Sequence, residues 1–439
     1  MMKIINAAEF DDYWKKNSIY KEDEATETAV REIIESVRRE GDRAVRHYAS
    51  MFDKSSPDHI EVPPAKMKAA VSDLELSDQE LAGAIRLAAE NTRRFSLKQR
   101  EQFADFEFEN SPGLFTGQKI IPVQRAGVYI PGGRFPLISS ALMCLIPAIC
   151  SGVKEICFAS PPTADGYPDK RILAAAGIVL QICGYPDSGF RIFSMGGAQA
   201  IAALALGTET VPRCDVVAGP GNKYVAEAKR LLYGQTGIDF IAGPSDILVI
   251  TGQDSMQLPA VDMLAQAEHD PDARARALVP SAEAAQRLAQ ALKKNLEEFP
   301  AGENKNNAAS SLENGGLIVI YRSKEEAIRI ANNIAPEHLE LHVPEPENWI
   351  PSLMNFGSMF IGAMSAEVLG DYSAGINHIL PTLGSARFTG GLSVRHFLKT
   401  VTTLRCNKDS GLAAALDAAR IIAASEGLEG HRRSAQIRI

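Results

Sequence analysis

The sequence predicts an α/β protein with two parallel sheets, and three observations carry that prediction. From about residue 119, short β-rich runs alternate with Ala-rich helical runs, the texture of a parallel sheet with helices on both faces. Glycine turns sit at the strand–helix junctions, and a second series of the same kind opens at Asp246. At 439 residues and 45% hydrophobic, the chain is long enough to bury more than one core.

Taken in order, residues 24–50 and 79–105 read as amphipathic, charged helices. Ala126-Gly-Val-Tyr129-Ile is a strand closed by Pro131-Gly-Gly133, and Glu155-Ile-Cys-Phe-Ala159 is another. Phe190–Ser194 runs through Gly196-Gly197 into a helix from Ala198. Cys214–Ala218 runs through Gly219-Pro-Gly-Asn222 into a helix reaching about Leu232. The second series holds the strand Asp246–Thr251, a helix from near Pro259 to Asp270-Pro271, the strand Ala275–Val279 and a helix from Ser281. The segment 301–315 reads as a polar loop. Gly316–Tyr321 is a strand, and Ser323-Lys-Glu-Glu326 opens a helix with a capping-box pattern. Beyond about residue 390 a distinct tail ends in an Ala-rich helix, Leu412 to Ser425, stopped by Gly427. No internal repeat is visible.

The net charge of −8, without a long basic run, argues against a nucleic-acid partner. The longest apolar stretch, Ala141 to Cys150, contains Pro147 and falls short of the ~20 residues a membrane helix needs. The first residues lack the pattern of a signal peptide. Six cysteines without a C-x-x-C pair read as buried thiols of a reducing compartment. A soluble cytoplasmic protein is expected.

Half of the eight histidines lie in clusters with a carboxylate or carboxamide close by. The clusters are Gln266-Ala-Glu-His269, Glu337-His338, Asp371 with Asn377-His378, and Glu426 with His431. Imidazole is the commonest metal ligand and the side chain that titrates near neutrality. A spacing of three places Gln266 and His269 on one helix face, close enough for one ion; a solvated helix with incidental polar groups is the competing reading. Oxygen and imidazole donors without thiolate suit zinc, with manganese or cobalt as substitutes. Glu337-His338 stands at a helix-to-strand junction and offers two proton acceptors of different strength, useful for successive proton removals; two exposed polar groups in a turn would look the same. His47, His59, His342 and His396 lack clustered partners and read as structural or surface. The glycine turns would let an anionic ligand approach a helix N-terminus, although tight turns alone explain them and no G-x-G-x-x-G is present.

Together these motifs resemble the histidinol dehydrogenase family from about residue 30 to the end. The most specific pieces are Gly127-Val-Tyr129-Ile-Pro-Gly-Gly133, Gly196-Gly-Ala-Gln199, Ala218-Gly-Pro-Gly-Asn222, Ala242-Gly-Pro-Ser245, Ala265-Gln-Ala-Glu-His269, Ala335-Pro-Glu-His338, Gly370-Asp-Tyr with Asn377-His-Ile-Leu-Pro-Thr382, and Glu426-Gly-Leu with His431. The resemblance implies two incomplete Rossmann-like domains, related to those of aldehyde dehydrogenases, and a C-terminal tail exchanged in a homodimer. The expected division is an N-terminal helical arm (1–26) on the cofactor domain, a catalytic α/β domain (27–125 plus 246–390), a nucleotide-binding α/β domain (126–245) and the exchange tail (391–439).

The same resemblance implies NAD, with Tyr129, Gln199 and Asn222 at the cofactor positions. It implies one zinc held by Gln266, His269, Asp371 and, from a partner's tail, His431. Ser139, Ser140, Ser245, His378 and Glu426 match substrate-contacting positions, beside His338 and the metal ligands. Glu337 and His338 match the two proton acceptors of a four-electron oxidation of L-histidinol to L-histidine. Three positions depart from the family pattern: Asp246 where Glu is usual, Arg134-Phe135 where small residues are usual, and Ile376 where Pro is common. These departures keep in view a paralogue oxidising another small alcohol, such as a sulfonated propanediol. A third reading is a zinc hydrolase or non-catalytic metal-binding protein of the same fold.

Overall fold

The computed structural model describes residues 2–17, 23–56, 59–132, 136–252 and 255–439. Two six-stranded sheets carry it, and a three-stranded antiparallel sheet stands apart from them. In the first sheet the order is 61–62, 190–194, 155–160, 125–129, 216–218, 237–238; only the short edge pair 61–62 with 190–194 is antiparallel. In the second the order is 3–6, 317–320, 274–279, 246–251, 338–342, 358–361, parallel throughout. The expectation of two parallel α/β units is therefore met.

Each large sheet is covered on both faces, which is why its strands read as nearly continuous apolar runs. In the second sheet Leu248, Ile250, Leu339 and Leu341 face one core, with Phe10, Ile330 and Ile334. Ile247, Val249, Ala275 and Ala277 face the other, beneath Met263, Leu264 and Leu288. The apolar stretch 141–150 lies inside the helix Ile138–Ser151, most of it fully buried within the first unit. Among the described residues no helix is long and apolar enough to cross a membrane.

Several local expectations change. The helix expected over 24–50 is two helices, Glu24–Glu40 and Asp42–Phe52, broken at Gly41, whose φ of 52° only glycine adopts easily. The helix of 79–105 stops at Arg100, and a hairpin of strands Phe106–Ser111 and Leu114–Pro122 follows. The polar loop of 301–315 is instead a helix, Glu303–Asn314. Its buried stripe is narrow, Ala308 and Leu312, and the rest of its anchorage is polar. Asn307 Nδ2 donates to Glu268 O, and Ser311 Oγ donates to Ala273 O.

The segment expected as a helical arm on the 126–245 unit goes elsewhere. Lys3–Asn6 forms the edge strand of the second sheet beside Leu317–Ile320, and the Ala7–Asn17 helix buries Phe10 in that sheet's core. The helices at 24–52 contribute Val30, Ile33, Val37 and Val45 to a core of the first sheet. In the tail, Leu398–Cys406 pairs antiparallel with Leu114–Pro122, and the helices Ser410–Ser425 and Glu429–Gln436 follow with most residues exposed. Cys406, expected buried, is exposed there.

Candidate active site

The C-terminal rim of the first sheet and the N-terminal rim of the second meet where the clustered motifs converge. Ser140 Oγ lies 3.3 Å from His378 Nε2, Asn377 Nδ2 donates to Met143 O at 2.7 Å, and Gly243 N donates to Thr382 Oγ1.

Glu337 and His338 enter the site through a backbone device. The helix Lys324–Ile334 ends on Ala335, a non-glycine residue at φ 51°, and Pro336 prevents its continuation. Asp246 opens the neighbouring strand, and the two chain segments clasp each other. Asp246 N donates to Glu337 Oε2 at 2.9 Å, Glu337 N donates to Asp246 Oδ1 at 2.8 Å, and Arg276 Nη1 donates to Asp246 Oδ2 at 2.7 Å. The departure at Asp246 thus sits in the support of Glu337. Arg134 and Phe135 lie outside the described residues.

Consecutive strand residues point apart, yet the clasp brings Glu337 Oε2 within 3.9 Å of His338 Nδ1, and both side chains are buried. Glu367 Oε1 lies 3.4 Å from the same Nδ1, and Asp371 Oδ1 lies 3.7 Å from Nε2. Burial opposes a charge on His338, but Glu367, Glu337 and Asp371 outweigh it and hold the imidazole well above its usual range. Burial pushes Glu337 up to about 8, aided by the Asp246 and Asp371 charges and opposed by His338. Asp371 stays below the usual carboxylate range despite burial, because His338, His378 and His269 face it.

Glu367 was not singled out from the sequence. It stands four residues before Asp371 on the helix Glu367–Tyr372, so the two carboxylates share a face; that spacing was the available signal. His378 completes the ring. Its Nδ1 lies 2.7 Å from Asp371 O, which as an acceptor leaves Nε2 free to accept from Ser140.

For the expected metal set, the helix Gln257–Ala267 ends before His269, so that residue projects from the following turn rather than from the helix face. Gln266 is buried, and among the described residues its Oε1 receives no hydrogen bond. His269 is exposed but close enough for its charge to be felt by Asp371. A buried amide oxygen without a donor, one carboxylate and one imidazole fit a divalent ion of the zinc type. His431 and Glu426 are exposed on the tail, and among the described residues nothing joins either to this group within the chain. Ser245 is half-buried immediately before Asp246, and Ser139 lies at the start of the helix Ile138–Ser151.

The cofactor candidates gather at the C-terminal rim of the first sheet, around its central strand Arg125–Tyr129, where strand order reverses. Tyr129 is buried, and its hydroxyl accepts from Gly197 N. Gln199 Nε2 lies 3.4 Å from Asp53 Oδ2, whose carboxyl burial pushes up to about 6 against hydrogen bonds from Gly196 and Gln199. Asn222 caps the helix Lys223–Leu232 through Oδ1, leaving its amide NH₂ for a ligand. Gly219, at φ 129°, is required here: a Cβ would lie 2.0 Å from Tyr129 O. The buried pair Lys229–Asp239 grips both polar groups of that glycine.

The earlier reading of His342 as isolated is corrected. It is fully buried beside Glu340 and Asp262. His396 is structural as expected, its Nδ1 accepting from Ser393 N in a capping box.

A family model described as histidinol dehydrogenase matches residues 16–439. A histidinol dehydrogenase of Thermus thermophilus is 42% identical over 417 residues, 95% of each chain. One from Pseudomonas aeruginosa is 40% identical over 421 residues, 95% of this chain and 92% of that one. The crystal structure of histidinol dehydrogenase from Elizabethkingia anophelis superposes with a TM-score of 0.89 at 32% identity, covering 100% of this chain and 98% of that chain. An apo indole-3-acetaldehyde dehydrogenase shares the fold alone, with a TM-score of 0.50 at 17% identity over 87% of this chain and 88% of that one.

Proposed function

Because the chain belongs to the histidinol dehydrogenase family, we propose that it oxidises L-histidinol to L-histidine through histidinaldehyde, the closing steps of histidine biosynthesis, with NAD as hydride acceptor. The observation that carries the reading is the buried Glu337–His338 pair. It is clasped by Asp246 and faces Asp371. His338, once it has given up the proton that its three carboxylate neighbours favour, takes the alcohol proton as hydride leaves the carbon, so turnover should rise with pH as the imidazolium deprotonates. Among the described residues its Nε2 has no hydrogen-bond partner, which suits it to that contact. Glu337 then helps water add to the aldehyde, and His338 assists the second hydride departure. Glu367 at Nδ1 holds the imidazole's orientation throughout.

Gln266, His269, Asp371 and His431 of the partner subunit would hold zinc, which when bound supplies orientation of the substrate's amine and imidazole. Tyr129, Gln199 and Asn222 would line the NAD site. Ser139, Ser140, Ser245, His378 and Glu426 would contact substrate. The exposed tail, with Ile421 and Ile422 on the helix that Glu426 caps, suits exchange in a homodimer whose sites are shared.

Purified, zinc-loaded protein should form NADH from L-histidinol and none from dihydroxypropane sulfonate. NADH formed from the sulfonate alone would replace the histidinol assignment with the paralogue reading. No NADH from either, in folded metal-loaded protein, would favour a non-redox role.

A further inference from the structure

The strand His338–His342 breaks the rule its sheet otherwise follows. It is paired on both sides, by Asp246–Thr251 and by Ser358–Ile361, and its Leu339 and Leu341 join a core as an interior strand's residues should. Its opposite face carries His338, Glu340 and His342, beside Ile247, Val249 and Thr251 of the neighbouring strand. Glu340 and His342 are fully buried. The helix Gln257–Ala267 supplies Asp262 and, one turn further on the same face, Gln266. The polar row of the helix therefore lies over the polar row of the strand.

Asp262, Glu340 and His342 each point a ligand-type atom into one space, and the three atoms lie within 4.8 Å of one another. Glu340 is fixed there: its Oε1 accepts from Glu367 N at 2.9 Å, and its Oε2 lies 3.3 Å from His342 Nε2. Among the described residues, neither that Oε2 nor either ring nitrogen of His342 has a hydrogen-bond partner. Burial, and then the Glu340 charge, push Asp262 up to about 7, with His342 opposing.

We propose that Asp262, Glu340 and His342 form a second divalent-cation site, separate from the Gln266–His269–Asp371 set. Two carboxylates and a neutral imidazole balance a 2+ charge, and an oxygen/nitrogen set without thiolate takes zinc or manganese. The ion ties the helix bearing Gln266 to the strand bearing His338, so it fixes the spacing of two active-site elements without touching substrate. The proposal does not depend on which alcohol is oxidised.

The test is metal content of the intact protein, loaded with zinc or with manganese, freed of loose ions and measured by mass spectrometry beside protein concentration. Wild type should hold about two ions per chain and Asp371→Ala about one. Asp262→Ala and His342→Leu should each also fall to about one, with the remaining ion lost on adding Asp371→Ala. Asp262 is only half-buried, so its variant carries the test if His342→Leu fails to fold. About one ion per chain in loaded wild type, or an unchanged count in folded Asp262→Ala, would overturn the site and leave the three groups sharing protons instead.

Discussion

His338→Asn is expected to lower kcat for L-histidinol by about 10³-fold or more, because one imidazole serves proton transfer in both oxidations. Asn keeps the polar shape but cannot accept a proton. The loss should appear equally when the reaction is started from histidinaldehyde, and single-turnover kinetics from each substrate measures it. A variant that spared either half-reaction would show that another base serves that step. The same lesion tests the shared site. Co-expressed with a His431→Ala chain, it should regain one working site per heterodimer, since the intact tail of one chain meets the intact body of the other. Isolated heterodimers without activity would contradict tail exchange while leaving the role of His338 in place.

Asp246→Ala should have the largest effect on stability, about 3–5 kcal/mol, because it strips a buried Arg276 of its carboxylate partner. It also removes the carboxylate that accepts from Glu337 N, so the Glu337 clasp loses a strut. Denaturant unfolding measures the first consequence. Asp246→Asn separates the second, since an amide oxygen still accepts from Glu337 N while the ion pair is lost. A neutral Asp246→Ala would mean that Arg276 reaches water or another acceptor in solution. The cation lies over the Trp14 ring, 5.2 Å from its centroid, and an aromatic face does not replace a carboxylate.

Much of this was legible in the chain before the structure. Strands such as Phe190–Ser194 and Asp246–Thr251 announced themselves because a parallel sheet buries both faces and each run ends in a glycine turn or a capped helix. The Glu303–Asn314 helix escaped detection because its buried stripe is two apolar residues, and Asn307 and Ser311 do the rest by hydrogen bonds that no periodicity records. The hairpin strand Phe106–Ser111 is almost wholly exposed, so it offered no alternating buried face. At the site, the clustered motifs led to Glu337, His338, Gln266 and Asp371. Glu367 and Asp246 acquired their roles only through space: the clasp joins residues 91 positions apart, set by the register Ile247↔His338. The alternation His338-Leu-Glu340-Leu-His342 is a readable sign of a polar face inside a sheet, but Glu340 and His342 join one group only once the strand and its covering helix are known.

The central claim is that one site carries an alcohol through two successive oxidations, and counting NADH against limiting L-histidinol tests it most directly. With NAD in excess, the account predicts two NADH for each histidinol consumed and L-histidine as the sole product. One NADH per histidinol with histidinaldehyde accumulating would contradict it, because the Glu337–His338 pair would then serve an ordinary two-electron alcohol oxidation.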